Sequence, residues 1–311
     1  MILQNSGRSF ESERSLNQDL SFNIFKNELK QRDIENGEVQ MKILKLFGED
    51  NLYSNLALLL SDQCPVTTKI AVFQGSNKAI FRERREFTGS ILKQIEEGIL
   101  FIDFFNNTKA TFSGINRIDT RDYPEEAIRE AWLNCFVHRD YASTGSTMIN
   151  IYDDRMEFVS QGGLVSGLTL DSVFIGASKT RNPNLAALFY RMRIIECYGT
   201  GIEKILRCYD DVDRKPIFET APGVFRVTLP NINEISTKEA KKATYSDYDI
   251  LEKEKYLILE HVAKYGEITR KETEDVIDSG TTKAFKVLKE LCKGGKLKAI
   301  GSGKKVKYVL E

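Results

Sequence analysis

PEEAIREAWLNCFVHRDYASTGSTMINIYDDRMEFVSQGG, residues 124–163, runs from a helical pattern through two alternating segments to a glycine pair. Pro124 suits the first turn of a helix, where its missing N–H goes unneeded, and Glu125 and Glu126 favour the positive helix end. The helix is predicted to run to about Val137. Ala127, Ile128, Trp132, Cys135 and Phe136 lie largely on one side of it. Glu130 and Asn134, four positions apart, share another face, which His138 extends. Residues 147–152 and 155–159 read as strands around the turn signal Asp153-Asp154. Gly162-Gly163 and Gly167 then mark a loop.

Downstream, Asn182-Pro183 reads as the cap and first position of a helix. Gly199-Thr200-Gly201 opens another, over residues 202–209, and residues 224–229 form a closing strand. These elements make an α/β domain over 116–230. Upstream, residues 1–20 are polar and expected to be poorly ordered. Residues 70–73 and 79–81 read as a strand pair around Gly75-Ser76-Asn77, and 89–102 as a helix. Residues 1–115 are therefore predicted as a mixed α/β segment of their own. Residues 231–247 lack apolar periodicity and read as a linker.

The remainder, 248–311, shows a helix over 255–265 stopped by Gly266, a short helix over 270–277, the turn Ser279-Gly280 and a third helix from about Thr281. Two strands follow, 296–300 and 305–310, joined by Gly301-Ser302-Gly303. Three helices and a β-wing are the order of a winged helix-turn-helix. Residues 279–307 hold nine lysines and one acid, Glu290, although the whole chain balances 45 basic against 45 acidic residues. The first residues of a groove-reading helix meet base edges, which nominates Thr281, Thr282, Lys283 and Lys286. Lys304 and Lys305 at the wing tip are expected to touch phosphates of double-stranded DNA.

Other classes are excluded. No apolar run approaches the ~18–20 residues of a membrane span, and no apolar leader opens the chain, so no membrane partner and a cytoplasmic location are expected. Five cysteines without a C-x-x-C pair and two histidines argue against a disulfide framework or a zinc site. His138-Arg139-Asp140 lacks the asparagine and the D-F-G of a kinase loop. A P-loop ending at Gly303-Lys304 fails because Lys298 and Lys305 occupy its glycine and Ser/Thr positions.

In the central segment a carboxylate at Glu130 can orient water, and the amide oxygen of Asn134 can bind Mg²⁺. A glycine loop opening a helix favours phosphate. EAIREAWLNCFVHRDY (126–141), DDRMEFVSQGGLVSGL (153–168), KTRNPNLAALFYR (179–191) and YGTGIEKI (198–205) resemble bacterial Schlafen-related proteins regarded as transcriptional regulators. SFESERSLNQDLSF (9–22) and YSNLALLLSDQ (53–63) resemble the linker region of that family. The resemblance implies a divergent GHKL (Bergerat-like) two-layer α/β sandwich, within a multidomain α+β chain, with a site for ATP and Mg²⁺. It implies that Glu130 is the water-activating acid and Asn134 the Mg²⁺-binding amide. Gly162 and Gly163 would form the first glycine box, and Gly199, Thr200 and Gly201 the second. The first box of such proteins usually holds an Asp for the adenine amino group, whereas Val159-Ser160-Gln161-Gly162-Gly163 has no acid. Family members often begin with an AlbA-type domain, for which this chain has no room; it reads as a short member or a truncated piece. The resulting expectation is a DNA-binding transcriptional regulator whose core senses a nucleotide or other ligand, with a second copy as a further candidate partner. The competing expectation is a GHKL-class ATP-hydrolysing enzyme that uses DNA as partner; the missing Asp favours the first.

Overall fold

The paired β5 (Thr147–Ile151) and β6 (Arg155–Gln161) form the centre of a six-stranded sheet in a computed structural model that describes residues 9–196, 199–234, 247–301 and 306–311. The chain divides into two units, Met1–Glu234 and Ile235–Glu311.

The first unit begins with a 3-10 turn, Phe10–Ser12, followed by α1 (Asn23–Gln31), α2 (Glu38–Ile43), α3 (Asn55–Leu60), β1 (Thr68–Phe73), β2 (Phe81–Phe87) and α4 (Ile91–Phe104). A separate hairpin, β3 (Thr108–Ser113) with β4 (Asn116–Arg121), leads into α5 (Glu125–Val137). After β6 come α6 (Leu170–Phe174), α7 (Pro183–Arg191), α8 (Gly201–Arg207), β7 (Ile217–Ala221) and β8 (Val224–Pro230). The sheet order is β2-β1-β5-β6-β8-β7, with β1 parallel to β5 and every other pair antiparallel.

Period-two alternation sends Ile70, Val72, Ile149, Ile151, Met156, Phe158, Val227 and Leu229 into one core with Ala127, Ala131 and Trp132 of α5. Each fully buried side chain of this kind contributes about 1.5–3 kcal/mol relative to exposure. Trp132 donates from its indole to the Ile95 carbonyl at 3.0 Å and lies against Gly98, where a Cβ would sit 2.4 Å from the ring. The other alternating positions place Asn150, Tyr152, Arg155 and Glu157 together, with Arg155 bonded to Glu157 at 2.8 Å.

Several expectations need correction. Residues 1–115 are not a separate segment, because β1 pairs directly with β5 and both lie in one unit. Local periodicity cannot reveal a parallel partner that far along the chain. The second strand of the upstream pair starts at Phe81 and extends to Phe87, rather than covering 79–81. Residues 9–20 are not loose: Glu11 is fully buried. Pro124 stands at the cap of α5 rather than inside it. Of the expected linker, 231–234 belong to the first unit, where Asn231 N–H donates to the Asp154 carbonyl. Residues 235–246 lie outside the described residues, and the next helix begins at Asp247.

The second unit runs α9 (Asp247–Tyr265), β9 (Ile268–Thr269), α10 (Arg270–Val276), α11 (Thr281–Lys293), β10 (Leu297–Ile300) and β11 (Lys307–Leu310). Gly266, at φ +85°, ends α9 as expected of a left-handed C-terminal glycine. Thr269 and Glu272 form a capping box that starts α10. Ile258, Val262, Ala284, Val287, Leu288, Leu291, Leu297 and Tyr308 make this unit's own core. The sheet order β10-β11-β9 includes a short strand, β9, that the sequence reading did not anticipate. Among the described residues no helix is long and apolar enough to cross a membrane.

Candidate functional site

The α5 helix turns Glu130, Asn134 and His138 toward a cavity of about 490 Å³. The end of β6 adds Ser160, Gly162 and Gly163, and the turn into α8 adds Gly199, Thr200 and Gly201. The structure thus brings all seven core residues nominated from the sequence to one cavity, within the ~300–1,000 Å³ typical of small-molecule sites.

Close approach explains two of the glycines. A Cβ on Gly201 would lie 3.1 Å from Glu130 Oε2 and 3.4 Å from Asn134 Nδ2, so a side chain there would crowd both. Gly162, at φ +99°, would bring a Cβ within 2.9 Å of Asp140 Cβ. Arg181 ties this loop to the end of α5, donating to the carbonyls of Gly163 at 2.7 Å and His138 at 3.3 Å.

Glu130 is held rather than free. Its Oε1 accepts from Arg129 at 2.7 Å and lies 4.0 Å from Lys204, whose amine also bonds Glu196 at 2.8 Å. The Asn134 side-chain amide, by contrast, has no hydrogen-bond partner among the described residues. A free amide beside a glycine-shaped gap fits a cation or a phosphate-bearing ligand. His138 caps α5, and burial, assisted by Arg181, pushes its imidazole down to about 4, so it is neutral near pH 7. In the acid-free glycine box, Ser160 lines the cavity. Gln161 turns away, donating to the Ser146 carbonyl and accepting from Ser143.

The sequence reading missed Lys179 and Lys204 as cavity residues. Their signal was modest: each is a lysine within a segment, KTRNP or GIEKI, already singled out. The four described cysteines are free; Cys64 and Cys135 are buried, and burial raises their thiols to about 11 and about 12. Cys197 lies outside the described residues.

In the second unit, Thr281, Thr282 and Lys286 are exposed on the first turns of α11. Lys283 is exposed on the same turns, and its amine pairs at 2.5 Å with the buried Glu254 of α9. Lys304 and Lys305 lie outside the described residues.

Residues 145–229 match a family model of an ATPase-type domain described as "Putative ATP-dependent DNA helicase recG C-terminal". The match spans β5 through most of β8 and both glycine loops, and supports a GHKL-like ATPase-type domain there. No curated protein matches the chain. Among solved structures, the chain is similar to the DIP2311 protein from Corynebacterium diphtheriae, with 17% identity and a TM-score of 0.64. The alignment covers 99% of this chain and 65% of that one, so this chain spans just under two thirds of its neighbour's length. At that identity the likeness is one of fold.

Proposed function

We propose that this protein is a nucleotide-responsive DNA-binding regulator, related to the Schlafen-type regulators. In this reading ATP–Mg²⁺ occupies the cavity of the first unit, and the second unit is a winged helix that reads duplex DNA. The observation that carries the nucleotide half is the juxtaposition of Glu130 and Asn134 of α5 with Gly201 around one gap, Gly201 belonging to the segment 145–229 that is similar to an ATPase-type domain. The unpartnered Asn134 amide would supply an oxygen to Mg²⁺, and the ion would neutralise phosphate charge. Lys179 and Lys204, which also line the cavity, would add positive potential for the phosphates. Ser160 would offer a hydroxyl to the base where GHKL proteins use a carboxylate. Binding is favoured over turnover, because the first glycine box lacks its acid and one oxygen of the Glu130 carboxylate is held by Arg129. The DNA half rests on the element order of the second unit and its lysine content.

The test is thermal. At 100 times Kd, a ligand that binds only the native state adds about 2.7 kcal/mol, worth roughly 5–10 °C in a unit of this size. ATP with Mg²⁺ is expected to raise the melting temperature of the full chain by that order, and Asn134→Ala is expected to abolish the rise. No shift in a titration to millimolar ATP overturns the nucleotide half.

A further inference from the structure

The outward face of α11 holds a feature that the lysine count does not describe. At about 100° per residue, the buried Ala284, Val287, Leu288 and Leu291 occupy one side of the helix. Thr282, Phe285, Lys286, Lys289 and Lys293 fall within an arc of ~100° on the opposite side. Thr281 and Lys283 lie on the flanks. The flank's acid, Glu290, is neutralised by Lys255 of α9 at 3.0 Å, and Lys283 by Glu254. The outward stripe therefore carries three lysines and no acid, and none of the three is paired with a described residue. In its midst Phe285 is 53% exposed.

Cations and an apolar ring on one helix face suit the major groove of duplex DNA. Phosphates attract the lysines, and the groove floor is polar except for the C5-methyl of thymine. Phe285 stands one helical turn from Thr282 and beside Lys286, where a helix laid in the groove approaches base edges. We infer that Phe285 is a specificity-determining residue that packs against a thymine methyl, while Lys286, Lys289 and Lys293 hold the phosphate backbone. This inference rests on the winged-helix reading of the second unit.

The experiment uses the full chain. Duplexes enriched by the wild-type protein from a random pool are re-made with each thymine replaced in turn by deoxyuridine, which lacks only the methyl. Fluorescence anisotropy is expected to show about a three- to fivefold loss at one or two positions, the value of burying one methyl. Phe285→Ala is expected to bind the parent duplex more weakly and to be indifferent to deoxyuridine there. Lys289→Ala is expected to keep the deoxyuridine penalty while lowering the salt slope by about one. Because Phe285 is half-exposed, its alanine variant is expected to melt with the wild type, which separates lost contact from lost fold. Wild-type binding that ignores every deoxyuridine, or a Phe285→Ala protein that retains the penalty, overturns the role of Phe285 alone. Absence of duplex binding at low salt overturns the DNA reading beneath it. A Phe285-dependent self-association found in that case assigns the face to a second copy instead.

Discussion

His138 shows how one residue connects the end of a helix to the cavity and to pH. Its imidazole is neutral in the folded state, held down to about 4 mainly by burial and further by Arg181, against an ordinary value of 6.5. Between those limits the unfolded chain binds a proton that the native chain refuses, so stability falls as pH drops from about 6.5 to about 4. The full gap is worth on the order of 3 kcal/mol. Replacing His138 by Gln is expected to flatten the dependence of unfolding free energy over that range, with urea titrations at pH 4.5 and 7 as the measurement; an unchanged slope refutes the assignment. At this scale the sequence was informative where a side chain's role follows from its own helix. Glu130 and Asn134 share a face through their spacing alone. It could not show the ion pair of Lys283, whose charge is visible but whose partner Glu254 sits on another helix. It passed over Phe285, although helical spacing from Thr282 and Lys286 already places that ring among the polar residues.

At the scale of elements, the start of α7 is completed by the other end of the first unit. Pro183 occupies the first helical position and has no N–H to offer, so the next orphan donors are Asn184 and Leu185. Both are taken by the buried carboxylate of Glu11, at 2.7 and 2.8 Å. Asn182, expected to cap this helix, makes no side-chain cap bond. Its amide donates instead to the carbonyls of Val137 and Arg139, joining α7 to the end of α5. Glu11→Ala is expected to cost about 1–3 kcal/mol by leaving a buried and a partly buried donor unpaired, and Glu11→Gln less. Trp132 is the single tryptophan and lies in the core of the first unit, so its fluorescence in urea reports this loss directly. A Glu11→Ala midpoint equal to wild type rejects the capping role. The helix α5 and the β5–β6 hairpin were legible because each carries its own period and turn. The Glu11 cap and the β1–β5 pairing were not, because each joins segments with no local mark of their partner.

Across the whole molecule, the two units differ in how far along the chain their partners lie. The second unit is built from neighbouring elements around its own core. The first weaves β1 and β2 beside β5 and β6, and adds β8 and β7 last, from the end of the unit. That explains why the lysine-rich second unit could be outlined from local signals while the boundary expected at 115 was misplaced. The Glu11 cap has a consequence for synthesis. Its partner Asn184 follows 173 positions later. At ~5–20 residues per second, the emerging chain waits roughly 10–35 s before this contact can close. Through that interval residues 10–18 can already bond to residues 53–55, but Glu11 still lacks the helix start that it caps in the folded unit. Stalled chains ending before residue 180 are expected to be cleaved by protease near residues 9–20, whereas chains extended beyond residue 270 should be protected there. Equal protection of the two lengths would show that the opening segment finds its place before its partner has left the ribosome.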